Sequence, residues 1–310
     1  MVRVDRKKVT ALHRKILKWY ENNRRPLLWR TTTDPYTILV SEIMLQQTQT
    51  SRVQEKLPLF LKKFPTLQKL ASATKADVIR AWQGLGYNNR AIRLRELARV
   101  VVNDYQERLP SDIEKLQQLP GIGRYTAHAV VCFAFKKKVP VVDVNTQRVF
   151  SRIFWKMLDS SQMKGPDEVW HLAEKVLPRD VYPWNQALMD LGAVICTARH
   201  PLCTRCPVAE LCSSRNWMIQ HTGDLRRSNS PKEKSEPTYD GIPQRIWRGR
   251  IVEVLRNVNG KGSISMPYLG KAIKQTFTKR ELLWLEDLVQ MLQKDGIVER
   301  IKNNVMLAHE

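Results

Sequence analysis

Hydrophobic residues recur at intervals of three and four through most of the first 220 positions, the spacing of one buried helix face. From 8 to 20 the stripe is Leu12, Ile16, Leu17 and Tyr20, and Pro26 with the Leu-Leu-Trp-Arg after it ends that helix. A second helix is predicted from Pro35, a residue tolerated in a first turn, through Thr48. More follow at about 51–64, 75–82, 89–106 and 111–118, the last opened by a capping box of Ser111 and Glu114. No alternating apolar and polar run of strand type occurs before residue 290.

The pattern changes near residue 225. Residues 225–240 are polar, with two prolines and mixed charge, and read as a flexible linker. Beyond them, 244–257 carries the stripe Trp247, Ile251, Val254 and Leu255, and 266–275 gives a second helix. Thr278 and Glu281 form a capping box that opens a third, with Leu282, Leu285, Leu288 and Leu292 on one face. The apolar runs 297–301 and 305–307 flank Lys302, Asn303 and Asn304 and predict a β-hairpin. Three helices and a hairpin predict a winged helix-turn-helix. Extra grip on DNA, substrate choice, protein contact, dimerisation or a purely structural appendage are all open to it.

Charge narrows the partners. The 310 residues hold 52 Lys and Arg against 30 Asp and Glu, a net +22. Such a surplus points to a polyanion, because basic side chains gain by displacing counterions from phosphates. A generally basic protein or one that binds acidic membranes is the alternative. No run of 18 apolar residues occurs, and the first ten residues are charged without an apolar region behind them. The expectation is a soluble, intracellular chain without a membrane span.

Three constellations carry chemistry. Leu119-Pro-Gly-Ile-Gly123 stands between two predicted helices. A glycine turn there presents bare backbone N–H groups and a positive helix end to one point, and glycine permits positive φ and close approach of a phosphate. An ordinary helical hairpin turn is the plainer account. Twenty residues on, Asp143 lies among Val141, Val142 and Val144 and is either a helix cap or a functional carboxylate. Glu42, flanked by Ile38, Leu39, Val40, Ile43, Met44 and Leu45, is either an exposed position beside Ser41, Gln46 and Gln49 or an acid whose desolvation suits general-acid work. Finally, Cys196, Cys203, Cys206 and Cys212 give C-x6-C-x2-C-x5-C within 17 residues. Zinc and an iron–sulfur cluster both accept four thiolates, and the single C-x2-C favours the cluster. Cys132 sits in an apolar helix and reads as core.

Together these residues resemble the helix-hairpin-helix glycosylase superfamily over about 14–214, two-thirds of the chain. The cysteine spacing is similar to the [4Fe–4S] loop of its endonuclease III and MutY branches. Pro35-Tyr36, Ser41-Glu-Ile-Met-Leu-Gln-Gln-Thr48, Gly84-Leu-Gly-Tyr87 and Leu119-Pro-Gly-Ile-Gly-Arg-Tyr125 resemble the MutY-type adenine glycosylases most. The resemblance implies a mainly α, two-lobed fold: 1–28 plus 136–224 as the cluster lobe, and 29–135 as a six-helix barrel with the hairpin. The linker 225–240 and a winged-helix-like α/β domain at 241–310 complete the organisation.

It also implies roles. Glu42 matches the acid that protonates the adenine ring nitrogen, Asp143 the carboxylate that stabilises the oxocarbenium-like sugar, and Asn145 a residue that positions it. Tyr125 stands where endonuclease III carries its Schiff-base lysine, so the implied enzyme is monofunctional. Gln47, Thr48, Leu85 and Tyr87 match residues that fill the opened duplex and contact the opposite base, while Gly121, Gly123 and Arg124 belong to the DNA-gripping hairpin. The implied activity is release of adenine mispaired with G or 8-oxoguanine from double-stranded DNA, by a monomer in a prokaryotic nucleoid. A thymine or uracil glycosylase at G mismatches is the neighbouring possibility, though Gln46-Gln47 favours adenine because the archaeal thymine enzymes carry arginines there. An iron–sulfur DNA-binding regulator is the non-enzymatic rival, and needs neither Glu42 nor Asp143.

The chain departs from the MutY type in three places. Asn88-Asn89 replaces a second tyrosine, Val144 replaces glycine after the acid, and the C-terminal segment does not resemble the Nudix-like domain that reads 8-oxoguanine.

Overall fold

A computed structural model of the chain describes residues 4–156, 165–221, 236–258 and 262–310. In chain order the helices are α1 (Arg6–Asn23), α2 (Pro35–Leu45), α3 (Thr50–Lys63), α4 (Leu67–Ala71), α5 (Lys75–Ala81), α6 (Asn89–Asp104), α7 (Ile113–Gln117) and α8 (Arg124–Phe133). There follow α9 (Val144–Trp155), α10 (Pro166–Lys175), α11 (Val181–Val194) and α12 (Arg215–Gln220). The C-terminal segment holds strands β1 (Thr238–Tyr239) and β2 (Ile242–Pro243), then α13 (Gln244–Arg256), β3 (Ile264–Ser265) and α14 (Met266–Ile273). It ends with α15 (Leu282–Lys294), β4 (Val298–Ile301) and β5 (Asn304–Leu307). The predicted helices are present. The second stops at Leu45, three residues short of Thr48, and α4 was missed because five residues show too little periodicity to register.

Two compact units emerge. The first comprises the described residues of 1–35, 111–114 and 123–233. Its core joins Leu12 and Ile16 of α1, Val149, Phe150 and Ile153 of α9, and Trp184 and Leu188 of α11. The carboxylate of Asp190 is wholly buried there, with Arg30 bonded to both oxygens at 2.7 and 2.9 Å and Arg25 at 2.6 Å. A buried charge survives only with such pairing.

The second unit comprises the described residues of 36–110, 115–122 and 234–310. Phe60, Trp82, Leu94 and Leu97 are buried among α3, α5 and α6. One apolar cluster then runs from Ala76, Ile79 and Ile92 into Trp247, Ile251, Leu255, Leu285 and Leu288, so the C-terminal segment shares a core with α5 and α6. The segment has the predicted winged-helix order, with a three-stranded antiparallel sheet β3-β5-β4 in which Ile301 faces Asn304 across a Lys302-Asn303 turn. The capping box of Thr278 and Glu281 is formed. Most of the expected linker lies outside the described residues. Its last residues pair as β1 with β2, and Tyr239 stacks on Trp284 at 4.1 Å.

Candidate active site

In the first unit the chemistry gathers on α9. Asp143 caps the helix: Oδ1 accepts from the Thr146 amide at 2.7 Å, and Oδ2 accepts from Asn145 Nδ2 at 2.8 Å. The cap expected of Asp143 is therefore formed, and the same carboxylate remains the candidate acid. The amide oxygen of Asn145 accepts from Arg148 at 2.8 Å, and the same guanidinium donates to Gly192 O at 2.7 Å and Cys196 O at 2.8 Å. Gly192 is required by proximity, since an added Cβ would stand 2.6 Å from Asn145 Cβ. Val144, the departure beside the acid, is 69% exposed and turns away from this network.

The hairpin apex uses its glycines differently from the sequence expectation. Gly121 has φ +81°, and its missing Cβ would lie 3.3 Å from Arg93 Cβ. Gly123 is extended, with φ −94° and ψ 177°, and caps α8 with open space where a Cβ would be. Positive φ therefore explains Gly121 alone. Next to it, Arg124 lies 4.3 Å over the Trp170 ring and pairs with Asp167 at 2.7 Å. Tyr125 is half-buried in the first turn of α8.

Cys196, Cys203, Cys206 and Cys212 line one cavity with Val149 and Leu191. None is in a disulfide. Four thiols on one cavity supply the four thiolates that an iron–sulfur cluster takes. Burial pushes the Cys206 thiol up to about 12 and the Cys212 thiol up to about 11, a shift that a bound cationic metal would oppose. Arg152 supports the loop, with Nη1 at 3.3 Å from Cys196 Sγ and 2.7 Å from Thr197 O. The donor set thus fits an iron–sulfur group. Cys132 is core, with its thiol pushed to about 11 by burial and accepting from Asn185 at 3.3 Å.

The second unit holds the other candidate acid. Glu42 is 2% exposed, and Ile38, Leu39, Ile43 and Met44 around it are equally buried. The exposed-face account of Glu42 is therefore excluded. α2 fails to show an amphipathic stripe because nearly all of it is buried. Past its end, Gln47 is exposed with φ 56°, and Tyr87 is 53% exposed with φ 46°. Two non-glycine residues held left-handed mark strained, over-determined loops. Leu85 between them is buried, and its carbonyl accepts from Thr48 Oγ1 at 3.2 Å.

One side chain absent from the sequence reading ties these loops. Arg90, 8% exposed, donates to the carbonyls of Ile43 (2.9 Å), Met44 (3.0 Å) and Gln46, to Thr48 Oγ1 (2.9 Å), and to the carbonyls of Leu85 (2.8 Å) and Gly86 (3.0 Å). Its guanidinium also lies 5.5 Å from the Trp82 ring and 5.7 Å from that of Tyr87. Burial lowers its pKa to about 10, which leaves it charged at neutral pH. Arg148 and Arg152 were likewise missed. Their signal was their spacing, three and seven residues after Asn145 on one helical face.

Comparison with known proteins accords with this geometry. Residues 40–179 match the HhH-GPD superfamily of base excision DNA repair proteins, and 196–212 match the iron–sulfur binding domain of endonuclease III. The adenine DNA glycosylase of Mycolicibacterium smegmatis is 37% identical over 295 residues, 92% of each chain. That of Mycobacterium tuberculosis is 40% identical over 243 residues, 78% of this chain and 77% of its own. A thermostable thymine-DNA glycosylase of known structure superposes with a TM-score of 0.64 at 36% identity, covering 68% of this chain and 98% of that one. The chain belongs to the HhH-GPD superfamily of base excision DNA repair proteins, within the family of the adenine DNA glycosylases. Its cofactor is the [4Fe–4S] cluster of the cysteine loop. Among the described residues no helix is long and apolar enough to cross a membrane.

Proposed function

We propose that the protein is a monofunctional DNA glycosylase that hydrolyses the N-glycosidic bond of adenine opposite G or 8-oxoguanine in duplex DNA. The carrying observation is the burial of Glu42, which gives α2 an acid with no surface role. In this reading Glu42 protonates the departing adenine, and Asp143, oriented by hydrogen bonds from Thr146 N and Asn145, stabilises the positive sugar until water attacks. Tyr125 has no amine, so no imine forms and the strand stays intact. Gln47 and Tyr87 supply the exposed side chains that fill the opened stack, with Thr48 and Leu85 as their supports. Gly121, Gly123 and Arg124 approach the phosphate backbone. The cluster, when bound to its four cysteines, orders a loop rich in basic residues. The enzyme acts as a monomer on nucleoid DNA.

A second reading, thymine or uracil release at G mismatches, is favoured by the structural likeness to the thymine-DNA glycosylase. Single-turnover assays on duplexes with A, T or U opposite G and 8-oxoguanine separate the two. Release of adenine alone, without strand cleavage, is the expected result. Release of T or U with adenine untouched would overturn it.

A further inference from the structure

The loop carrying Tyr87 is held on two sides. Arg90 grips the carbonyls of Leu85 and Gly86 before the tyrosine. After it comes Asn88, the residue that precedes α6. Such a residue usually turns its side chain to the first free amides of its own helix. Asn88 makes no such bond. Its Oδ1 instead accepts from Arg256 Nη2 at 2.7 Å, at a separation of 168 residues.

Arg256 ends α13, and its side chain is 8% exposed. The other two arms of the fork are also placed, Nε on Ile79 O at 3.1 Å and Nη1 on Glu253 at 2.8 Å. Around it, Arg80 donates to Val258 O at 3.0 Å, and Gln83 bonds to Glu253. Beneath these lies the apolar cluster that joins Ile79 and Ile92 to Ile251 and Leu255. That cluster joins the segment to α5 and α6 through apolar contact, alongside the bonds of Arg80, Gln83 and Arg256. Desolvating a guanidinium to grip one loop asparagine adds little stability, whereas a rigid fork defines geometry.

We propose that Arg256 is a positioning residue for DNA opening, acting through Asn88 to fix the loop that presents Tyr87. The C-terminal segment thereby serves the active site as a brace. This rests on the glycosylase reading above only in the use made of Tyr87. A loop set slightly wrong fails to fill the stack when the target nucleotide leaves, so extrusion suffers before any bond is broken.

The test uses the full chain and a duplex with 2-aminopurine in place of the target adenine, at saturating protein. Extrusion is read as the rise in 2-aminopurine fluorescence on binding. Arg256→Lys and Asn88→Ala should each reduce the equilibrium for extrusion about tenfold, the worth of one charge-assisted hydrogen bond. Asn88→Asp, which keeps the acceptor, should restore it. The double variant Arg256→Lys/Asn88→Ala should be no worse than either single one. Thermal melting of each variant separates loss of fold from loss of positioning. Wild-type extrusion in both single variants, multiplying effects in the double, or no rise with the wild-type protein would each overturn the proposal. Release of adenine is measured separately, so a chain that extrudes the base without releasing it removes the glycosylase reading and leaves Arg256 in its role.

Discussion

Replacing Arg90 by methionine removes the guanidinium at similar length and volume. Three of its acceptors, the carbonyls of Ile43, Met44 and Leu85, are fully buried. Leaving each without a donor costs about 2 kcal/mol, or about 6 kcal/mol together. The half-buried acceptors at Gln46, Thr48 and Gly86 recruit water and add little. Against this, the cation is no longer desolvated. Burial takes its pKa from 12.5 to about 10, which at about 1.4 kcal/mol per pH unit returns roughly 3 kcal/mol. The net loss is about 3 kcal/mol, equivalent to a fall in Tm of about 6–12 °C. Thermal denaturation followed by circular dichroism measures it. Arg90→Lys should lose nearly as much, because one ammonium cannot serve both the Gln46–Thr48 turn and the Leu85–Gly86 turn. A lysine variant with wild-type Tm would refute the reasoning, since charge alone would then suffice.

Other outcomes follow from the same geometry. Asp143→Asn keeps an oxygen for the Thr146 amide, so it should lose base release by about 100-fold or more in single-turnover assays while binding duplex no more weakly; Glu42→Gln should lose adenine release in the same assay. Gly192→Ala drives a Cβ against Asn145 and should cost about 1–3 kcal/mol in urea denaturation together with a fall in excision rate. Burial alone would raise the pKa of Asp190, but Arg30 and Arg25 bring it below the usual value, so its contribution is complete above the unfolded value near 4 and is lost as pH falls through the lower folded value. Asp190→Asn should accordingly destabilise the protein at pH 7 and flatten its acid denaturation curve. Purified protein should absorb broadly near ~400 nm, and Cys206→Ala should lose that band along with thermal stability; a colourless wild-type protein containing zinc would contradict the cluster.

Much of the site was legible because its signals are local. Cysteine spacing specified the metal loop, and the glycine turn between two helices specified the hairpin. Asp143 was legible as a cap because the residue and the helix it starts are adjacent. Leu85 and Tyr87 were not separable from sequence. Two residues apart in one loop, one is buried and the other half exposed, and the difference lies in the fit of α5, α6 and the Gln46–Thr48 turn around them. Glycine 123 shows the same limit, since its letter invited an explanation from φ that the extended backbone does not need.

The sequence alone determined the helical character, the four-cysteine loop, the basic charge and the winged C-terminal order, each a property of composition, spacing or short-range periodicity. Tertiary structure decided that Glu42 is buried, that Arg90 and Arg148 bind the loops on which the candidate acids depend, and that Asn88 answers to Arg256. These are pairings over 3 to 168 residues, and arginine forks find acceptors by direction in space. Periodicity records which face of a helix is covered, but carries nothing about which distant carbonyl a guanidinium will meet.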